Sequence, residues 1–315
     1  MSRTVTILLA VCLLLAAASA TWFLQSDSGR NVRSGDLRSP ASHTRPAGNN
    51  KTTDSPWSRL TKDTLPAHQR LEIARQISGS LSKQDNAALF AAMDHTPRSG
   101  GEEDWYVILN EIMEQMRRHG LGSDEYAAKL GEIITDSGRT EVVRDYAIQH
   151  LALWIAPGNP DQVPHEKNPA LVGQSLSHIA TAIQDPTVSN TSIPGTALLA
   201  LADISPNLPA KTITATWSSL EPYLQGVISG ETNTQLSTRV SAIQAVSLTG
   251  QQSYLPAIRS FAASETVDPS VRLSSIASLG SYAEPEDQTL LELLATRDSR
   301  YRYAAQSALK RLASQ

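Results

Sequence analysis

Small and aliphatic residues recur at helical spacing three times near the end of the chain, each time behind an arginine. The phrases are TRVSAIQAVSL at residues 238–248, VRLSSIASLGSYA at 271–283 and YRYAAQSALKRLA at 301–313. Counting from Arg239, Arg272 and Arg302, positions +3 and +4 hold Ala242/Ile243, Ser275/Ile276 and Ala305/Gln306. Position +7 holds Val246, Leu279 and Leu309. Those positions share one side of an α-helix, so each phrase predicts a helix with a narrow buried stripe. The three arginines are 33 and 30 residues apart, a period that belongs to stacked helical repeats.

The same phrase returns at 143–151 (VRDYAIQHL), with Arg144 in place of the arginine, Ala147/Ile148 behind it and Leu151 at +7. A fainter copy at 194–201 keeps Ala197, Leu198 and Leu201 but puts Pro194 where the arginine stands. Farther upstream, Leu71, Ala74, Ile77 and Leu81 keep helical register, and KQDNAALFAAM supplies an antiparallel partner. EEDWYVILNEIMEQMRRH and SDEYAAKLGEIITD form the next pair. The first of these opens on acids and closes on Arg117, Arg118 and His119, which suits the helix dipole at both ends. Counting pairs gives about six, closed by a last helix over 300–314. A proline-rich insert at 156–169 reads as a loop between units.

Before residue 65 the pattern changes. Residues 4–24 carry no charge, and Ala18-Ser19-Ala20 has the small-x-small form of a signal-peptidase site, so 1–20 is expected to be a signal peptide. Extended to residue 24, the run is long enough to act as an uncleaved membrane anchor instead. Residues 25–64 are polar and nearly free of aliphatic side chains, and are expected to be a disordered linker. The helical array then occupies 65–315. Location follows from the first segment: extracytoplasmic, periplasmic or secreted, with a possible tether to the inner membrane.

Charge narrows the partners. Residues 21–65 carry seven Lys/Arg against four Asp, whereas 66–315 carry 19 Lys/Arg against 27 Asp/Glu. An acidic array cannot neutralise phosphates, so no nucleic acid is expected. The single cysteine, Cys12, falls in the apolar start and leaves no disulfide framework or thiolate metal site.

The segment VRLSSIASLGSYAEPEDQTLLELL resembles a HEAT repeat, in particular the short HEAT-like, bilin-lyase-type subfamily, with helix, Gly-containing turn, acidic-Pro turn and second helix. The resemblance implies an all-α fold, a right-handed α-α superhelix whose second helices line a concave face. It also implies a scaffold that binds another protein there. Some HEAT-like relatives are enzymes of lyase or hydroxylase type, and an anchored assembly factor facing the cytoplasm is a further alternative.

Chemistry is sparse along the array. No H-E-x-x-H motif, G-x-S-x-G elbow or phosphate loop occurs, and the one His-Glu dipeptide, His165-Glu166, stands alone in the proline-rich insert. No catalytic residue, metal site or cofactor is therefore expected. His150, beside Asp145 and Glu141, is read as exposed or capping rather than as a general base. Arg144, Arg239, Arg272 and Arg302 are read as bonding the carbonyls or carboxylates of neighbouring repeats. Because aromatic and arginine side chains dominate binding hot spots, Trp217, Tyr223, Tyr254 and Arg259 are the candidate partner contacts.

Overall fold

The computed structural model describes residues 55–79, 81–97, 101–120, 123–156, 168–282 and 284–314. The expected signal or anchor, residues 25–54 of the expected linker, and His165-Glu166 lie outside them. Among the described residues the fold is all-α. Thirteen helices run in order: α1 (Ala67–Arg75), α2 (Lys83–Asp94), α3 (Glu102–Arg118), α4 (Ser123–Thr135), α5 (Glu141–Ile155), α6 (Pro169–Gln184) and α7 (Ile193–Ile204). They continue as α8 (Ala210–Ser229), α9 (Leu236–Leu248), α10 (Leu255–Ala263), α11 (Pro269–Leu279), α12 (Pro285–Arg297) and α13 (Arg302–Leu312). Six pairs and a closing helix are what the periodicity predicts. No helix of the described residues is long and apolar enough to cross a membrane.

The helices form two layers. Each odd-numbered helix from α1 to α13 packs directly on the next odd-numbered one, whereas close packing between successive even helices is confined to α4 with α6 and α6 with α8. Side-chain size accounts for the difference. The odd layer is held together by small residues that let backbones approach: Gly195 of α7 faces Ser241 and Thr238 of α9, and Ser274 Oγ of α11 donates to the Val240 carbonyl of α9. Gly280, at the end of α11, lies so close to α13 that a Cβ there would sit 2.7 Å from the Cα of Ala308. The predicted stripe is the core in three copies, for Ala147, Ile148, Leu151, Ala242, Ile243, Val246, Ser275, Ile276 and Leu279 are all completely buried, whereas in the closing helix only Ala305 is, Leu309 being partly buried and Gln306 exposed.

The repeated arginine has a shared structural task. Each reaches back from its odd helix to the last turn of the preceding even helix, where carbonyls have no intrahelical donor. Arg144 Nε donates to Ile134 O at 2.8 Å, Arg239 Nε to Ile228 O at 3.0 Å and Arg272 Nε to Ala262 O at 3.1 Å. The same guanidinium groups reach forward. Arg144 pairs with Asp185 at 3.3 Å and Arg272 with Asp298 at 3.8 Å, while Phe261 lies 4.9 Å from Arg239 and Tyr301 4.7 Å from Arg272. These are the neighbouring-repeat contacts expected of the ladder. Arg302, the fourth of the series, is exposed.

Two boundaries depart from expectation. The helical register at 71–81 predicts one long helix, but α1 ends at Arg75 and Gly79 turns the chain with φ +71. Ile77 remains fully buried from beyond the helix end. Residues 55–60, within the stretch expected as linker, join the core: Trp57 and Leu60 are buried, and Ser55 Oγ donates to Asp85 at 2.6 Å.

Gly280→Ala should destabilise the fold by about 1–3 kcal/mol, because the added methyl meets backbone. Gly173→Ala, whose Cβ would enter open space on α6, should stabilise by about 0.5–1 kcal/mol. Urea unfolding of both variants checks the pair. By the same assay Arg272→Met should cost about 2–3 kcal/mol, since it strands the Ala262 carbonyl, and Arg302→Ala should stay within about 0.5 kcal/mol of the parent.

Candidate functional site

Gly131 of α4 lets α6 approach through His178, but elsewhere the even helices stand farther apart and solvent enters between them. One groove, about 610 Å³, lies between α2 and α4, with Ala87, Phe90 and Ala128 offering apolar surface and Lys83, Glu125 and Glu132 charge. A second, of about 380 Å³, opens between the N-terminal parts of α4 and α6 and shares Glu125 and Ala128 with the first. A third, smaller cleft of about 180 Å³ lies between α8 and the 3-10 turn Gln252–Tyr254 that leads into α10.

That third cleft brings together two of the four candidate contacts. Trp217 and Tyr254 both line it, together with Ser218, Glu221 and Gln251. Their polar ends are engaged: Trp217 Nε1 donates to Ser205 Oγ at 3.1 Å, and the Tyr254 hydroxyl donates to the Glu221 carbonyl at 3.4 Å. Burial, followed by the nearby Glu221 carboxylate, raises the Tyr254 phenol to about 12. Tyr223 does not line the cleft. It is half-buried against the core, its hydroxyl is shielded and without a hydrogen-bond partner, and burial raises it to about 12.

Arg259 faces the other way. Its Nε and Nη2 grip the Asp287 carboxylate at 2.6 and 3.2 Å, and Nη1 lies 3.4 Å from Glu286. Asp287 is 2% exposed, so this fork ties α10 to α12 across the even layer. The guanidinium pKa is raised, first by the Asp287 hydrogen bonds. A pairing 28 residues apart leaves no local sequence signal. The groove residues Phe90, Ala87 and Ala128 were also missed, because nothing local reveals how far apart two even helices stand.

His150 corrects the sequence reading. It is 5% exposed, neither a surface residue nor a cap, because α5 packs this face on α3. Its Nε2 meets Asn110 Oδ1 at 3.0 Å, and the nearest carboxylate is Glu114, 3.8 Å from Nδ1, rather than Asp145 or Glu141. Glu114 is already held by Arg117 and Arg118 at 2.8 and 3.1 Å. Burial, reinforced by the Arg117 charge, lowers His150 to about 3, so the ring is neutral. Asp145 instead accepts from Ser192 Oγ of the turn before α7, and burial raises its pKa. Among the described residues no group of three or more His, Cys, Asp or Glu could hold a metal ion.

Comparison with known proteins bears on the fold. Residues 231–310, from the turn before α9 through most of α13, match the HEAT repeats family model. Over that stretch the chain carries HEAT-like repeats. Among solved structures, a designed armadillo-repeat protein is similar at 17% identity and TM-score 0.41, covering 76% of this chain and 98% of its own. Human deoxyhypusine hydroxylase in complex with glycerol is similar at 13% identity and TM-score 0.32, covering 82% and 95%. No curated protein sequence matches the chain.

The neutral His150 sets a pH dependence of stability. Its folded-state pKa lies below the unfolded value near 6.5, so as pH falls below about 6.5 the unfolded chain gains a proton that the fold refuses. Stability is then lost at about 1.4 kcal/mol per pH unit until the folded pKa is reached. Urea titrations at pH 7.5 and 5.0 should show a loss for the parent that exceeds that of His150→Gln by roughly 2 kcal/mol. Equal losses in both proteins would mean that the ring is charged in the fold.

Proposed function

We propose that this HEAT-like chain is a non-catalytic scaffold that binds another protein along the face lined by its even helices. The observation that carries the reading is the asymmetry of the layers. Small residues close the odd layer on itself, while the even layer keeps solvent-filled clefts whose walls mix apolar and charged side chains. Clefts between helices of a rigid stack are the usual place for a peptide or loop to lodge. The mixture of Phe90 and alanines with flanking charges provides both contact area and orientation.

The apolar start of the chain supports export, with cleavage after Ala20 or retention as an anchor, and the polar residues that follow support a tether between membrane and array. The working location is thus extracytoplasmic, and the working partners are proteins that share that compartment. The net acidity of residues 66–315 favours partners with a basic contact surface over nucleic acid.

The test is fractionation and intact mass of the natively expressed protein, followed by cross-linking in intact cells with photo-reactive groups placed at Lys83, Glu125 and Gln174. A mature form starting at Thr21, or full-length protein in the membrane, with a single cross-linked protein partner from these positions, is the expected result. Cross-links confined to the outer side of α5, α9 and α11 would overturn the assignment of the face. Full-length protein cross-linked to a cytoplasmic partner would reverse the orientation.

A further inference from the structure

The cleft between α8 and the Gln252–Tyr254 turn has a one-sided chemistry that the wider grooves lack. Pro222 stands inside α8 and has no N–H, so the carbonyl of Ser218 four residues earlier loses its helical donor. Ser218 lines the cleft. So do the exposed Glu221, Ser253 and the side chain of Gln251, and none of the cleft's lining residues is a lysine, arginine or histidine. The Glu221 carboxylate accepts from the Gln225 amide at 3.5 Å, the limit of a hydrogen bond. Glu221 thus faces a cleft whose lining offers hydroxyls and an amide but no counter-charge. Its effect reaches Tyr254, whose phenol it helps to keep protonated.

Trp217 and Tyr254 form the apolar walls. Both are largely buried and held by hydrogen bonds, the Trp217 indole to Ser205 and the Tyr254 hydroxyl to the Glu221 carbonyl, so the walls need not be ordered when something enters. At about 180 Å³ the cleft is well below the roughly 300 Å³ at which drug-sized or cofactor sites begin, and suits one side chain. Aromatic walls, a carboxylate and an unpaired main-chain carbonyl together complement a flat or extended cation with several N–H donors.

We infer that the α8 cleft is a receptor for one cationic side chain, arginine or lysine, of the bound partner, with Glu221 as counter-ion and the Ser218 carbonyl as second acceptor. This deepens the scaffold reading and rests on it for the partner, though not for the chemistry of the cleft. The basic residue would anchor the partner in one register along the even face, while the grooves at α2, α4 and α6 supply area.

The test is a titration of the full-length protein, labelled with ¹⁵N at its tryptophans, with N-acetyl-arginine amide. The neutral near-isostere N-acetyl-citrulline amide is the control, and Trp217→Phe assigns the reporting indole. A saturable shift of the Trp217 signal with the arginine compound, at least tenfold weaker with citrulline, is expected. Glu221→Gln should weaken arginine binding at least fivefold. Pro222→Ala, which restores a donor to the Ser218 carbonyl, should weaken it at least twofold while leaving the melting temperature equal or higher. Equal binding of both compounds, or arginine binding unchanged in Glu221→Gln, would overturn the inference. Loss of the arginine response while cross-linking still captures a partner would remove this cleft and leave the scaffold. An arginine response with no partner captured would do the reverse.

Discussion

The guanidinium groups of Arg144, Arg239 and Arg272 are the joints on which this structure depends. Each bonds a last-turn carbonyl of the even helix before it, and Arg144 and Arg272 pair with the aspartate that caps the C-terminus of the even helix after it. A helix end buried without a donor is costly. A side chain from the next element that supplies the donor therefore makes each pair complete only when its neighbour is present. Stability then accumulates along the array as nearest-neighbour terms rather than from one central core. Phe261 and Tyr301, lying against Arg239 and Arg272, shield two of these joints from water.

From those joints follows a division of labour between the layers. Odd helices meet through Gly195, Ser241, Ser274, Gly280 and Ala308, small enough that backbones touch, and have little freedom to move apart. Even helices carry longer side chains and are bridged in places by polar contacts, of which Arg259 with Asp287 is the firmest. Between those bridges lie the clefts. A partner that enters them need not disturb the packed layer, so binding and stability are carried by different residues. Buried polar groups such as His150 belong to the packed layer. With its ring neutral and bonded to Asn110, it serves packing between α3 and α5.

The fold was legible because the repeat writes the same instruction many times. Arginine, then small and aliphatic residues at +3, +4 and +7, specifies both the buried stripe and the joint, and even Pro194 in the arginine's place leaves Ala197, Leu198 and Leu201 fully buried. What was not legible depends on distances between chain segments. Trp217 and Tyr254 are 37 residues apart in sequence yet wall one cleft, while Arg259, five residues beyond Tyr254, turns to α12. Trp57 and Leu60 belong to the core although they sit in polar surroundings, since two side chains are too few to raise a periodicity. The burial of His150 was legible in part, since Val143, Ala147 and Trp154 share its face of α5 and are buried with it, but the contact with α3 that encloses that face has no local signal.

Native-state hydrogen exchange resolved by helix tests the central claim, that stability runs through the odd layer, most directly. Amides of α5, α7, α9 and α11 pack on neighbours on both sides within their layer. They should exchange only through the largest openings, with free energies near that of global unfolding. Those of α2, α8, α10 and α12 should exchange through smaller, local openings. The reverse order, or uniform protection across both layers, would contradict the account.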